Sequence, residues 1–258
     1  MSITVRNLKI LSSKEKAEGI YIGRPSLLGN PFPMRVESDR QKVVESYKKW
    51  LWSQLQTETE LKLEIEKLAV QYVQGKDLKL DCFCSPKACH GDVLKSCIEW
   101  WADNNLKYYA GIGSRQTPKD ICCQMTEVAK QLDSENWILS SGGAKGADSA
   151  FEAGTSQAVI SYRADYYLTK FGKFKYDAEI LKEAEKIAST LHPAWDKCNV
   201  YARKMHTRNV FQILGHDLNT PVQKVICWTP EGKVVGGTAT AIRLAERNQI
   251  EVINYANH

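Results

Sequence analysis

The chain has 258 residues, 43 % hydrophobic and 25 % charged, with a net charge of +5 from 35 basic and 30 acidic residues. That length supports two modest domains or one large one, each with its own core, and the composition is that of a soluble globular protein. The mild positive excess suits a small anionic ligand and falls short of a nucleic-acid footprint.

No apolar run reaches the length of a membrane span. The opening "MSITVRNLKILSSKEKAEG" has neither a continuous apolar core nor a small-residue cleavage site, so we read no export signal. The cysteines at 82, 84, 89, 97, 122, 123, 198 and 227 are then expected as free thiols in a cytoplasmic compartment.

In chain order, residues 1–37 alternate β-prone pieces with turn signals, and "EGIYIGRPSLLGNPFPM" reads as an ordered loop. Two helices follow. The first puts Val43, Val44, Tyr47, Trp50, Leu51 and Leu55 on one face. The second puts Leu61, Leu63, Ile65, Leu68, Ala69 and Val73 on one face, with Gly75 as its C-terminal stop. "LKLDCFC" alternates like a strand, and "SPKACHGDVLKSCIEWWADNN" turns into a helix that fades at Asn104. A boundary there gives a small α/β domain over 1–104 and a second domain over 105–258.

From Lys107 the grammar is strand, turn, helix, repeated. "KYYAGIGS", "NWILSSGG", "AVISYRA", "VQKVICWT" and "IEVINYA" read as strands. Helices are predicted from Thr117 as N-cap with Pro118 at the first position, over "AKGADSAFEAG", across about 176–214 with a break near "LHPAWDK", and over "GGTATAIRLAERNQ". Strands alternating with helices predict a Rossmann-like parallel sheet flanked by helices.

In such sheets ligands bind beyond the carboxyl ends of the strands. Three glycine-rich loops occupy those positions: "GIGSRQTP", "SGGAKGAD" and "GKVVGGTAT". Bare backbone amides at helix starts favour an anion such as phosphate. The ligand-binding candidates are Gly113, Ser114, Arg115, Ser141, Gly142, Gly143, Lys145, Gly146, Asp148, Arg208, Gly236, Gly237 and Thr238. Asp148 either caps its helix or accepts from a ribose hydroxyl. A lone loop of this kind more often makes only a tight turn; three in one array favour a site. None is a triphosphatase phosphate loop, since Lys145 precedes Gly146 rather than Ser or Thr, and none completes the dinucleotide fingerprint.

The stretches "GSRQTP", "SSGGAKGADSAFEAG" and "VVGGTATAIRLAERNQIEVIN" together resemble the SLOG superfamily over residues 106–258. These Rossmann-like domains include the DNA-processing protein DprA, the cytokinin-activating LOG enzymes and nucleotide-sensing domains of bacterial immune systems. The resemblance implies a nucleotide-derived ligand and a homo-oligomer. It also implies a catalytic glutamate pair where this chain has Ala241, Ile242 and Arg243, so binding without turnover is favoured. Asp148 and Glu152 remain alternative carboxylates for a nucleotide-processing enzyme. A DprA-like single-strand binder would draw on the aromatics and lysines of "YYLTKFGKFKYDAE", which also read as a lid over a small ligand. His206 either points into the crevice or packs as a plain histidine.

The N-terminal half carries a second cluster, "CFCSPKACHGD". Cys82, Cys84, Cys89 and His90 include zinc-type ligands, but the spacing is atypical, and neither metal nor cofactor is expected. "IYIGRPSLLGNPF" with "CFCSPKACHGDVL" resembles a phage-associated domain of unknown function, which implies Arg24, Asn30, Cys84, Cys89 and His90 as a second site. The pairing suggests a protein that senses or sequesters a nucleotide immune signal in a phage–host setting, with no membrane partner.

Overall fold

A computed structural model describes residues 2–156 and 158–257. The chain divides into two compact units, 1–106 and 107–258. Both are α/β.

The first unit contains β1 (Ile3–Asn7), α1 (Ser13–Ala17), β2 (Ile20–Tyr21), α2 (Arg40–Leu55), α3 (Glu60–Val73), β3 (Leu78–Cys82) and α4 (His90–Asn104). Its three strands are parallel in the order β1-β3-β2. Arg6 on β1 faces Asp81 on β3 and clasps it through Nε and Nη2 at 2.7 and 2.8 Å. Two parallel charge-assisted bonds of this kind fix geometry as well as adding energy. The core gathers Tyr47, Leu51 and Leu55 of α2, Leu61, Ile65 and Leu68 of α3, and Leu94 and Ile98 of α4 over Leu78 and Leu80. Leu63, assigned by sequence to the buried face of α3, is 53 % exposed. Two residues from Leu61 is about 200° around an α-helix, on the opposite side.

The second unit contains β4 (Lys107–Gly113), α5 (Lys119–Ser134), β5 (Trp137–Ser141), α6 (Ala147–Gly154), β6 (Val159–Tyr162), β7 (Tyr166–Thr169), β8 (Gly172–Lys175), α7 (Ala178–Leu191), α8 (Val200–Leu214), β9 (Lys224–Trp228), α9 (Ala239–Arg247) and β10 (Glu251–Asn254). Its seven-stranded sheet has the order β10-β9-β4-β5-β6-β7-β8. The first five in that order are parallel. The chain runs from β4 outward to β6, then returns through α7 and α8 to lay β9 on the other side of β4. That reversal opens a crevice between the carboxyl ends of β4 and β9. Tyr109, Leu139 and Ile226 of the sheet pack with Met125, Ala129 and Leu132 of α5 and Phe151 of α6.

One helix start is corrected. Pro118 is the N-cap of α5 rather than its first residue, and Thr117 instead donates its hydroxyl to the Ser114 carbonyl at 2.7 Å. The stretch read as a lid or base-stacking surface forms the antiparallel β7–β8 hairpin. Tyr167 of the hairpin stacks on Phe174 and His216, and the following Tyr176 stacks on Phe211 with ring centres 4.1 Å apart. These rings face the protein's own interior, where their area is buried against neighbours.

Candidate functional site

A cavity of about 420 Å³ lies at the β4/β9 crevice. Its wall includes Gly113, Ser114 and Arg115 after β4, Asp148 of α6, Arg208, Asn209 and Gln212 of α8, and Gly236, Gly237 and Thr238 before α9. The structure therefore brings together eight of the thirteen candidates in this unit. Ser141, Gly142, Gly143, Lys145 and Gly146 do not line it, although Ala144 does. Lys145 is exposed, and Gly146 borders a separate shallow hollow.

The "SGGAKG" loop is occupied by the protein itself. Asp148 Oδ1 accepts from the Gly113 amide at 3.2 Å, and Oδ2 accepts from the amides of Gly142 and Ala144 at 3.1 and 3.4 Å. Amides that sequence reasoning offered to a phosphate are thus partly satisfied by an internal carboxylate. Arg208 Nη1 donates to the Gly142 carbonyl at 2.7 Å, and Arg163 Nη1 donates to the same oxygen at 2.9 Å. Burial pushes the Asp148 carboxyl up to about 6, against the opposing pull of Arg208 and the amides.

The glycines separate into two kinds when a Cβ is placed on each. At Gly113 it would lie 2.6 Å from Ala147 Cβ; at Gly142 it would meet Arg208 Nη1 at 1.8 Å. Gly143 and Gly146 have φ of +59° and +87° and are crowded as well. The chain's own packing explains these four. Gly237 is different: a Cβ there has nothing within 4 Å, and the backbone needs no left-handed turn. Gly236 has equally open space, with φ +69°. The amides of Gly236, Gly237 and Thr238 have no partner among the described residues. Free main-chain donors of the cavity therefore include those at the start of α9.

Asn209 and Gln212 are buried, and sequence reasoning passed over both. Asn209 Nδ2 donates to the Gly237 carbonyl, while its Oδ1 has no partner. Gln212 Nε2 and Arg208 Nε are also buried without a partner. An unpaired buried polar atom costs roughly 1–3 kcal/mol. Three such atoms lie on one face of α8, on residues lining one cavity. The available signal was "RN" with Gln212 one turn on, against the apolar residues Val210, Phe211, Ile213 and Leu214.

Arg243 is not among the residues lining the cavity. Its guanidinium reaches the carbonyls of Leu191 and Val234 at 3.3 and 3.4 Å, and Ala241 is the α9 residue that lines the wall. His206 turns away as well, with Nδ1 2.8 Å from Thr240 Oγ1.

The first unit has its own cavity of about 400 Å³, and its wall contains all five second-site candidates: Arg24, Asn30, Cys84, Cys89 and His90. Tyr21, Phe32, Arg40, Cys82 and Phe83 complete much of it. Cys89 caps α4, accepting from the Gly91 amide. Its Sγ is 3.5 Å from Cys82 Sγ. The contact with Cys89 holds the Cys82 thiol below the ordinary thiol range, while Cys89 is itself pushed up. His90 does not pair with Cys89: its Nε2 lies 2.6 Å from the Ile22 carbonyl, and its ring stands edge-on to Tyr47. The Cys82/Cys84/Cys89/His90 set therefore does not converge on one metal position.

Residues 7–100 match a family model described as "Domain of unknown function (DUF4326)". That span holds the whole second-site set and most of the first unit. No curated protein and no solved structure matches the chain. The match ends at residue 100, within the first unit. Among the described residues, no helix is long and apolar enough to cross a membrane.

Proposed function

We propose that the second unit binds a nucleotide-derived small molecule, one carrying phosphate or ADP-ribose chemistry, in the β4/β9 cavity. The observation that carries this reading is the unpaired group on α8: Asn209 Oδ1, Gln212 Nε2 and Arg208 Nε. An acceptor and two donors, one of them cationic, match a sugar or base edge beside an anion. The unpaired amides of Gly236, Gly237 and Thr238 and the Arg115 side chain supply the anion's remaining partners. A volume of about 420 Å³ is of the size that small-molecule sites occupy. A protein that holds such a molecule intact acts as a sensor or a sponge for it, in keeping with the phage–host setting suggested by the sequence.

The test is a thermal-shift series with ADP-ribose, cyclic ADP-ribose and mononucleotides. A ligand at a hundredfold excess over its Kd stabilises the fold by about 2.7 kcal/mol. No shift from any of these would sink the reading.

A second reading has one observation behind it. Asp148 lines the cavity with its carboxyl near the pH where a general acid or base works. Turnover would release free base or ribose phosphate, whereas a binder returns its ligand unchanged after denaturation. Chromatography of the released material separates the two.

A further inference from the structure

We propose that His192, Cys198 and His206 form a binding site for one zinc-class divalent metal ion, set apart from the nucleotide cavity. The ligating atoms of the three side chains all lie within 4.8 Å of one another. Cys198 Sγ is 3.6 Å from His192 Nδ1 and 3.8 Å from Nε2. In a tetrahedral zinc site, bond lengths of about 2.1 Å to nitrogen and 2.3 Å to sulfur put those ligands about 3.6 Å apart. The rings of His192 and His206 have centres 4.3 Å apart.

The Ala194 amide donates to the His192 Nδ1 lone pair at 3.2 Å, a bond that a metal bound at that nitrogen would replace. Thr240 Oγ1 lies 2.8 Å from His206 Nδ1. With Nδ1–H donated to Thr240, the Nε2 lone pair of His206 is left for a metal, the outer-partner arrangement that fixes metal-binding histidines. Metal binding would displace one proton, from the Cys198 thiol.

Three segments would be tied together: the C-terminal end of α7, the turn at Trp195–Lys197, and α8. Two nitrogens and a thiolate suit zinc over calcium or magnesium, which take oxygen ligands. Three protein ligands leave a fourth position for water or another small donor. None of the three residues lines the nucleotide cavity, so this site stands or falls separately from the proposed function.

The test uses the full chain, stripped by chelation and kept reduced by a phosphine. Cobalt(II) titration is expected to give one equivalent of four-coordinate visible bands and a thiolate charge-transfer band. Cys198→Ser should abolish the charge-transfer band, and His206→Ala should weaken binding at least tenfold. Cys82→Ser, in the other unit, should retain the band. Zinc should raise the Tm of the wild type and not of C198S. If C198S fails to fold, His192→Ala carries the same comparison. No band in the wild type, or a band that survives C198S or H192A, overturns the site.

Discussion

Arg208 Nη1 donates to the carbonyl oxygen of Gly142 at 2.7 Å, while the amide of the same glycine donates to Asp148. One peptide segment thus links the cation and the carboxylate of the cavity. Neither charge is free to drift, and each is held by backbone rather than by the other's side chain.

Replacing two glycines should separate packing from recognition. Gly142→Ala drives a methyl into Arg208 and Asp148 and should cost about 1–3 kcal/mol in denaturant unfolding. Gly237→Ala meets nothing in the chain, so stability should stay within about 0.5 kcal/mol of wild type. Ligand affinity should nonetheless fall at least tenfold. A G237A protein that binds as tightly as wild type would remove the start of α9 from the site.

The pH dependence has a definite sign. The folded-state carboxyl of Asp148 is raised from 3.8 to about 6 by burial. Its contribution to stability is fully present below about pH 4 and is lost as pH rises through 6. At about 1.4 kcal/mol per pKa unit, the loss is on the order of 3 kcal/mol. Asp148→Asn should flatten that part of the stability profile, measured by urea unfolding between pH 4 and 7. Affinity for ADP-ribose, whose diphosphate does not titrate there, should rise as pH falls through 6, because the cavity loses a negative charge. A flat binding profile would disconnect Asp148 from the ligand.

The paired thiols of the first unit should show up in ultraviolet absorbance. Thiolate signal from Cys82 is expected to titrate below the ordinary thiol range in the wild type. Cys89→Ala removes the neighbouring thiol, and the Cys82 titration should then move upward. An unchanged titration in C89A would assign the low-pH thiolate to another cysteine.

Sequence periodicity made most of the fold legible. The strand–helix alternation after Lys107 and the apolar faces of α2 and α3 follow from local spacing; Leu63 and the α5 cap position were misplaced, and the short α1 was not foreseen. The hairpin was not legible, because "YYLTKFGKFKY" shows aromatics without saying which way they face. The site was half legible. Glycines can be counted in a sequence, but their reasons cannot: Gly113 and Gly142 serve packing, and Gly237 does not. His192, Cys198 and His206 are spaced H-x5-C-x7-H, matching no familiar ligand motif, and only the fold of α7 back onto α8 brings them together.

The hairpin rings give a further expectation. Tyr167→Ala removes a buried ring in contact with Phe174, Tyr176 and His216, and should destabilise the protein by roughly 3–5 kcal/mol. Single-stranded DNA should show no steep salt-dependent binding in a fluorescence anisotropy titration. Tight, salt-sensitive binding abolished by Y167A with the fold intact would restore the base-stacking reading.

The β7–β8 hairpin also finishes the sheet. Its outer strand is four residues long, starts on a glycine, and carries Lys173 and Lys175. A short, cationic margin repels the addition of another chain's strand. Copies of this unit that associate are thereby steered toward contacts through their helices, and continuous β-type joining along that border is disfavoured from the outset.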